Sequence, residues 1–155
     1  MITHESLQEL IDKQTSNTSL TQRFYTDSSI YRHDLQSVIF NQWLLVDHES
    51  RIANPGEYFL FDIDDESIII IRGDDGEVHA HFNVCAHRGS RICLEEEGTR
   101  RHLVCPYHAW SYEKNGQLSS VKFMPESFDC SKISLKPCHV KVHQGLIFLC
   151  LSQGS

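Results

Sequence analysis

The chain has 155 residues, 40% of them hydrophobic and 10% aromatic, a composition typical of a single globular domain with a sizeable core. Its formal net charge of −7 argues against nucleic acid and anionic membrane surfaces as partners, because proteins that bind them usually carry basic patches. No apolar run is long enough to span a bilayer, and the beginning, MITHESLQELIDK, lacks the basic and apolar regions of a signal peptide. We therefore expect a cytoplasmic protein whose cysteines are reduced or bind metal.

The first 41 residues are predicted to form an N-terminal helical segment, residues 1–41. Helical spacing of apolar residues favours a helix within residues 4–14, and a polar linker, TSNTSLTQ, follows it. A second helix is predicted over about residues 28–41, with Asp27 and Ser28 as candidate caps. The apolar positions of this second helix are Ile30, Leu35, Val38 and Ile39.

From Trp43 onward the chain changes to short segments rich in β-branched and aromatic residues, which are typical of strands. Turn residues separate them at 54–56 and 73–76, and Asn115-Gly116 is a strong hairpin signal. We therefore predict an all-β domain, an antiparallel sandwich or barrel, over residues 42–155. The strand candidates are residues 43–50, 57–64, 67–73, 77–84, 102–105, 109–114, 138–143 and 145–152.

Two segments after strand candidates each combine a cysteine with a histidine. NVCAHRGSRIC contains Cys85 and His87, and LVCPYHAWSY contains Cys105 and His108. Four such residues could be ordinary buried thiols and half-exposed imidazoles, although two paired loops are improbable by chance. They could form a closed zinc site, but zinc fingers usually group cysteine with cysteine and histidine with histidine. They could instead hold a [2Fe–2S] cluster, with thiolates on one iron and imidazoles on the other.

The spacing Cys85-x-His87, then 17 residues, then Cys105-x-x-His108 resembles a Rieske iron–sulfur domain. More narrowly, the chain is similar over about residues 20–151 to the N-terminal domain of Rieske non-haem iron (aromatic ring-hydroxylating) oxygenase α-subunits. This resemblance implies a Rieske-type antiparallel β-sandwich with a small subdomain of two cluster-binding loops. It also implies that these four residues bind a [2Fe–2S] cluster. The residues expected to support the loops are Arg88, Gly89, Pro106, Tyr107 and Trp110.

The resemblance implies that the domain relays electrons from a reductase or ferredoxin to a mononuclear Fe(II) site. In the family that site lies in a C-terminal catalytic domain, and no Asp-x-x-His-x-x-x-x-His pattern occurs in this chain. We therefore expect no catalytic residue here and no oxygenation by the chain alone. A free-standing Rieske ferredoxin-like carrier is the alternative, and a structural zinc domain is a third hypothesis. The helices of residues 1–41 favour the α-subunit, because small Rieske ferredoxins usually begin with the sheet.

The same comparison predicts a reduction potential near the low end of the Rieske range. High-potential Rieske proteins carry a bridged extra cysteine in each loop, where this chain has Gly89 or Ser90 and Tyr107. They also place a serine, which donates to a bridging sulfur, where this chain has Trp110. Fewer donors to the sulfurs stabilise the reduced, more negative cluster less. We further expect Trp110 to pack under the second loop and hold it.

The other cysteines and histidines are interpreted as structural. Cys93 is expected to be a packed thiol, and Glu95–Glu97 a solvated acidic run, with docking of a basic reductase as the alternative for that run. Arg88 and Arg91 flank the first histidine, where their charge could ease reduction, although surface arginine is the simpler interpretation. The remaining residues assigned to packing or to strand faces are Cys130, Cys138, Cys150, His79, His81, His139 and His143.

Overall fold

The computed structural model describes residues 4–122, 124–125 and 127–152, so the ends of both predicted segments, residues 1–3 and 153–155, lie outside it. The helices in the described part are α1 (His4–Asp12), α2 (Arg23–Thr26) and α3 (Ser28–Ser37).

Helix α3 begins where the sequence predicts and ends earlier. The Asp27 carboxylate caps its N-terminus by accepting a hydrogen bond from the Ser29 N–H at 2.9 Å. After Ser37 the chain continues into a short 3₁₀ turn at Ile39–Asn41, and Val38 is 51% exposed rather than part of an apolar side. The short helix α2 was not predicted from the sequence.

Strands form the rest of the fold and confirm an all-β domain preceded by helices. The strands of the described chain are β1 (Leu44–His48), β2 (Glu57–Ile63), β3 (Glu66–Arg72), β4 (Val78–Phe82), β5 (Glu97–Thr99), β6 (Leu103–Val104), β7 (Ser111–Tyr112), β8 (Leu118–Ser120), β9 (His139–His143) and β10 (Leu146–Cys150). They pair antiparallel in three sheets, with the orders β1-β10-β9, β4-β3-β2-β5 and β6-β7-β8.

Strand β3 is the most deeply buried strand. Its four isoleucines, Ile68–Ile71, are all 0% exposed, as expected for a continuous apolar run covered on both faces of a sheet. The predicted Asn115-Gly116 turn is also confirmed, because β7 and β8 pair across it and Gly116 has a positive φ of 87°. Because β6 also pairs with β7, the three strands β6, β7 and β8 form one sheet, which we call the hairpin sheet.

Strand β5 was missed because its residues, Glu97–Thr99, lack any apolar pattern. Its backbone pairs with β2, where Tyr58 lies opposite Gly98. The acidic side chains of this region are exposed, as predicted, and the Glu97 carboxylate accepts a hydrogen bond from Arg51 Nη2 at 2.9 Å. Backbone pairing, rather than side-chain burial, makes this segment a strand.

The chain divides into two compact units, one containing Met1–Trp43 with Leu151–Ser155 and the other Leu44–Cys150. The assignment of residues 1–41 and 42–155 to separate domains stays a prediction. No helix in the described part of the chain is long and apolar enough to cross a membrane.

The core of the second unit contains both candidate thiols. It combines side chains of the four-stranded sheet, of the hairpin sheet and of the two Cys/His segments. The buried members are Tyr58, Ile69, Ile71, Cys85, Ile92, Cys93, Leu103, Cys105, Trp110, Tyr112, Leu118 and Leu135. The two thiols of the candidate site are therefore part of the hydrophobic core.

Candidate metal centre

The first Cys/His segment, which we call loop 1 (residues 83–92), follows β4 and turns tightly around Cys85. The Cys85 N–H donates to the Ser90 carbonyl at 2.8 Å, and the Gly89 N–H donates to the Cys85 carbonyl at 3.0 Å. Gly89 has a φ of 71°, a left-handed conformation that glycine adopts without steric cost. This turn presents His87 two residues after the cysteine.

The second segment, loop 2 (residues 105–110), connects β6 to β7 and repeats the same turn. The Cys105 N–H donates to the Trp110 carbonyl at 2.8 Å, and the Ala109 N–H donates to the Cys105 carbonyl at 3.0 Å. Ala109 occupies the left-handed position with a φ of 54°. The two cysteines therefore hold equivalent places in two copies of one turn, and His108 follows its cysteine by three residues.

Both candidate thiols are shielded from solvent. Cys85 and Cys105 are each 2% exposed. Burial raises the pKa of Cys85, a hydrogen bond from Tyr112 works in the opposite direction, and the neighbouring Cys105 thiol adds to the increase. A buried thiolate is costly unless a cation or metal compensates it, so this pair suits metal ligation better than free thiolate chemistry.

The two candidate histidines lie side by side. The ring centroids of His87 and His108 are 4.8 Å apart, and both side chains are partly exposed. The Nδ1 atom of His108 is buried and has no hydrogen-bond partner, as expected for a nitrogen reserved for a ligand. Desolvation, followed by the neighbouring His108 and Arg88, lowers the pKa of His87, which favours the neutral imidazole that binds metals.

Aromatic rings surround these histidines. The Trp110 indole stacks on the His87 ring at 4.7 Å with an interplanar angle of 7°, and Phe128 meets the indole edge-on at 5.7 Å. The Tyr107 ring lies 3.9 Å from that of His108 and is 60% exposed. Trp110 thus contributes its carbonyl to loop 2, which we expected it to hold, and its side chain stacks on His87 of loop 1.

The other residues predicted to support the loops lie at the protein surface. Arg88, Gly89 and Pro106 are exposed at the loop surfaces. In the part of the chain that the structure describes, no group of three or more His, Cys, Asp or Glu side chains is arranged to hold a metal ion. The donors are instead arranged as one pair of thiols and one pair of imidazoles.

Tyr112 is a site residue that the sequence analysis missed. Its hydroxyl lies 3.2 Å from Cys85 Sγ and accepts a hydrogen bond from the Ala86 N–H at 3.2 Å. Burial raises the pKa of Tyr112, so the hydroxyl keeps its proton and can donate to the sulfur. The alternation Trp110-Ser111-Tyr112 could have revealed it, because residues two apart on a strand share a face.

The remaining cysteines and histidines have structural environments. His81 is buried and its Nε2 lies 2.9 Å from the Lys114 carbonyl oxygen, while His79 contacts the Asp75 carboxylate at 2.9 Å. Cys93, Cys138 and Cys150 are buried, Cys130 is partly buried, and His139 and His143 are exposed on β9.

Two loops that each hold a cysteine and a histidine, on antiparallel sheets, are the features by which we compare this chain with known domain families. A family model described as the Rieske [2Fe–2S] domain matches residues 42–141. The chain belongs to this family. Membership leaves the structural zinc hypothesis without support and confirms the predicted Rieske resemblance and fold.

Relatives of this Rieske chain are oxygenase subunits. The glycine betaine monooxygenase oxygenase subunit of Pseudomonas aeruginosa is 37% identical over 147 residues, which are 94% of this chain and 34% of that protein. The benzene 1,2-dioxygenase subunit alpha of Pseudomonas putida is 34% identical over 92% of this chain and 32% of its own length. The solved structure of naphthalene 1,2-dioxygenase from Rhodococcus sp. aligns with a TM-score of 0.85 and 28% identity over 98% of this chain and 36% of that one.

The Rieske chain therefore spans about a third of the length of the relatives it matches. Its residues fit the [2Fe–2S] cluster of the family. Two buried sulfur donors, two imidazoles and a buried, unpartnered His108 Nδ1 form a donor set of the type that Rieske clusters use.

Proposed function

We propose that this chain is the electron-relay domain of a Rieske oxygenase α-subunit. In this proposal Cys85 and Cys105 bind one iron of the cluster, and His87 and His108 bind the other. The observation that carries it is the repeated turn, which brings two buried thiols to equivalent positions and two imidazole rings to 4.8 Å.

The bound cluster would take up and release one electron at a time. The chain provides the environment for that chemistry. The apolar core around Cys85 and Cys105 excludes water, and the Tyr112 hydroxyl can donate to Cys85 Sγ, which stabilises added negative charge. The histidine rings are partly exposed, so they offer an electron a path out of the domain.

The proposed partners are a reductase or ferredoxin as electron donor and an oxygenase catalytic domain with a mononuclear Fe(II) as acceptor. The matched relatives are named as oxygenase subunits about three times as long as this chain, which supports an acceptor domain in the same kind of protein. The naphthalene dioxygenase alignment covers 98% of the chain, including the N-terminal helices. That coverage favours the α-subunit over a free-standing ferredoxin-like carrier.

The experiment is anaerobic cluster reconstitution followed by metal analysis, visible absorption and pulsed EPR of the reduced protein. We expect a red-brown protein with equal iron and acid-labile sulfide, and nitrogen couplings from two imidazoles. A colourless protein that binds zinc would contradict the proposal.

A His108→Cys variant tests the assignment of one ligand. We expect it to retain a cluster with nitrogen coupling from one imidazole and a lower potential, because a thiolate adds negative charge to the cluster. An unchanged potential with two nitrogen couplings would exclude His108 as a ligand. His139→Cys, on the exposed strand β9, is the matched control and should leave both measurements unchanged.

A further inference from the structure

We propose that Asn83 is the positioning residue of loop 1: its side chain closes the loop and thereby places Cys85 and His87. This inference rests on the proposed function, because it concerns residues assigned there as cluster ligands. The two loops differ in how their ends are joined.

The ends of loop 2 are joined by backbone pairing. Leu103 pairs with Tyr112 and Val104 with Ser111 in the β6–β7 ladder, so the loop is the tip of a hairpin. Loop 1 has no such ladder. Strand β4 ends before it, and the next strand, β5, pairs with β2 instead.

The Asn83 side chain makes the hydrogen bonds that a strand ladder would otherwise make at the end of loop 1. Its Oδ1 accepts hydrogen bonds from the N–H groups of Ile92 and Cys93, each at 2.9 Å. Its Nδ2 donates to the Cys93 carbonyl at 2.8 Å and to Ser67 Oγ at 3.3 Å. A carboxamide has the same donor and acceptor as a peptide group, so one side chain acts as a strand partner for the far end of the loop.

Asn83 also fixes the closed loop to the central sheet. Its backbone N–H donates to the Ser67 carbonyl on β3 at 2.8 Å, and the residue is 0% exposed. Every polar atom of this side chain therefore has a partner in a dry environment. Removing it leaves the Ile92 and Cys93 N–H groups without their Asn83 partner in the core, where water cannot easily replace it. The destabilisation is confined to loop 1, because the β6–β7 ladder at the base of loop 2 does not involve Asn83.

The test compares cluster retention in the reconstituted protein with that in an Asn83→Ala variant. A Leu149→Ala variant is the matched control, because it removes a 0% exposed side chain from the β1-β10-β9 sheet and weakens the fold away from the loops. With an iron chelator present, at a temperature where all variants are folded, we expect N83A to lose its cluster at least tenfold faster than the parent. The L149A control should change less than twofold.

Pulsed EPR supplies a readout that general destabilisation would not produce. In N83A protein that still holds its cluster, we expect the nitrogen coupling of one imidazole to change and the other to stay, because only loop 1 has lost its closure. Equal loss rates in N83A and L149A, with both couplings unchanged, would overturn the inference.

An Asn83→Asp variant covers the case in which N83A does not fold. The carboxylate keeps the acceptor for Ile92 and Cys93 and loses the donor to the Cys93 carbonyl, so we expect a loss rate above that of L149A. A rate equal to that control would overturn the inference. A parent protein that shows no Rieske spectrum would instead contradict the proposed function, which separates the two failures.

Discussion

Loop 1 and loop 2 share one turn geometry and differ in how that turn is anchored. In both, the cysteine N–H bonds the carbonyl five residues on, and its carbonyl accepts the N–H four residues on. Loop 2 is held by the strands on either side of it, whereas loop 1 is held by side-chain hydrogen bonds, chiefly from its own first residue, Asn83, and from Tyr112 on β7. The comparison shows that the turn around each cysteine and the contacts that hold that turn in place are made by different residues.

The largest expected effect comes from removing one thiol from either turn. Cys105→Ala and Cys85→Ala should each abolish the colour of the reconstituted protein, because two thiolates are needed on one iron. Visible absorption and iron content measure this directly. Cys93→Ala, which removes another core thiol, should stay coloured; a coloured Cys105→Ala protein would refute the ligand assignment.

The left-handed position of the turn is Gly89 in loop 1 and Ala109 in loop 2, so exchanging glycine and alanine in each loop compares the two turns. Gly89→Ala should cost about 1–2 kcal/mol, because an L-residue is strained at positive φ even where its Cβ has open space. Ala109→Gly should stabilise by about 1 kcal/mol, because glycine relieves the strain already present in loop 2. Urea unfolding measures both, and effects of equal sign would show that the two turns are not equivalent.

Tyr112→Phe should lower the reduction potential while leaving the cluster in place. With Cys85 as a cluster ligand, as proposed, the hydroxyl would donate to Sγ more strongly in the reduced state, and a hydrogen bond stronger by about 1 kcal/mol in that state corresponds to about 40 mV for one electron. Redox titration followed by EPR gives the shift. Tyr107→Phe is the control: it removes a hydroxyl from an exposed ring that packs at a tilt against His108, and it should move the potential much less.

The smallest expected effect is on pH dependence and concerns His81, which ties β4, the strand before loop 1, to the turn after β7. Burial lowers the pKa of His81 below its ordinary value of 6.5. The folded protein therefore binds this proton less readily than the unfolded chain, so the stability it contributes is complete above pH 6.5 and falls as the pH drops through that value.

Between pH 8 and pH 6 we expect the loss to be less than about 1 kcal/mol. Urea unfolding at the two pH values should show a smaller difference in a His81→Gln variant, whose amide can still donate to the Lys114 carbonyl. The same difference in parent and variant would assign the effect to other groups.

Much of the fold was predictable because it depends on local patterns. The apolar run at Ile68–Ile71 and the Asn115-Gly116 turn identify the buried strand and the hairpin. Strand β5 was not predictable in this way, since Glu97–Thr99 is a strand through its backbone pairing with β2 alone. Strand formation at a polar edge depends on a partner that the local sequence does not reveal.

The candidate site likewise contains some features that the local sequence predicts and others that depend on distant residues. The ligand assignment of Cys85, His87, Cys105 and His108 follows from the resemblance to Rieske domains and stays a prediction until it is tested. Strand alternation could place Tyr112 on the same face as Trp110, but the partners of Asn83 and Tyr112 could not be predicted, because their hydrogen bonds join residues 9, 10 and 27 positions apart. Such contacts depend on how the sheets bring distant segments together.

The position of Tyr112 has a consequence for how the protein is matured. This residue lies on β7, next to loop 2, and its hydroxyl forms hydrogen bonds with Cys85 and Ala86 of loop 1. Neither loop can therefore move away from the other without breaking these hydrogen bonds. A carrier that hands over a preassembled cofactor must reach two sulfur atoms in residues that are each 2% exposed. We therefore expect a refolding chain to take up a cluster faster than the folded domain does, so reconstitution is best carried out during refolding.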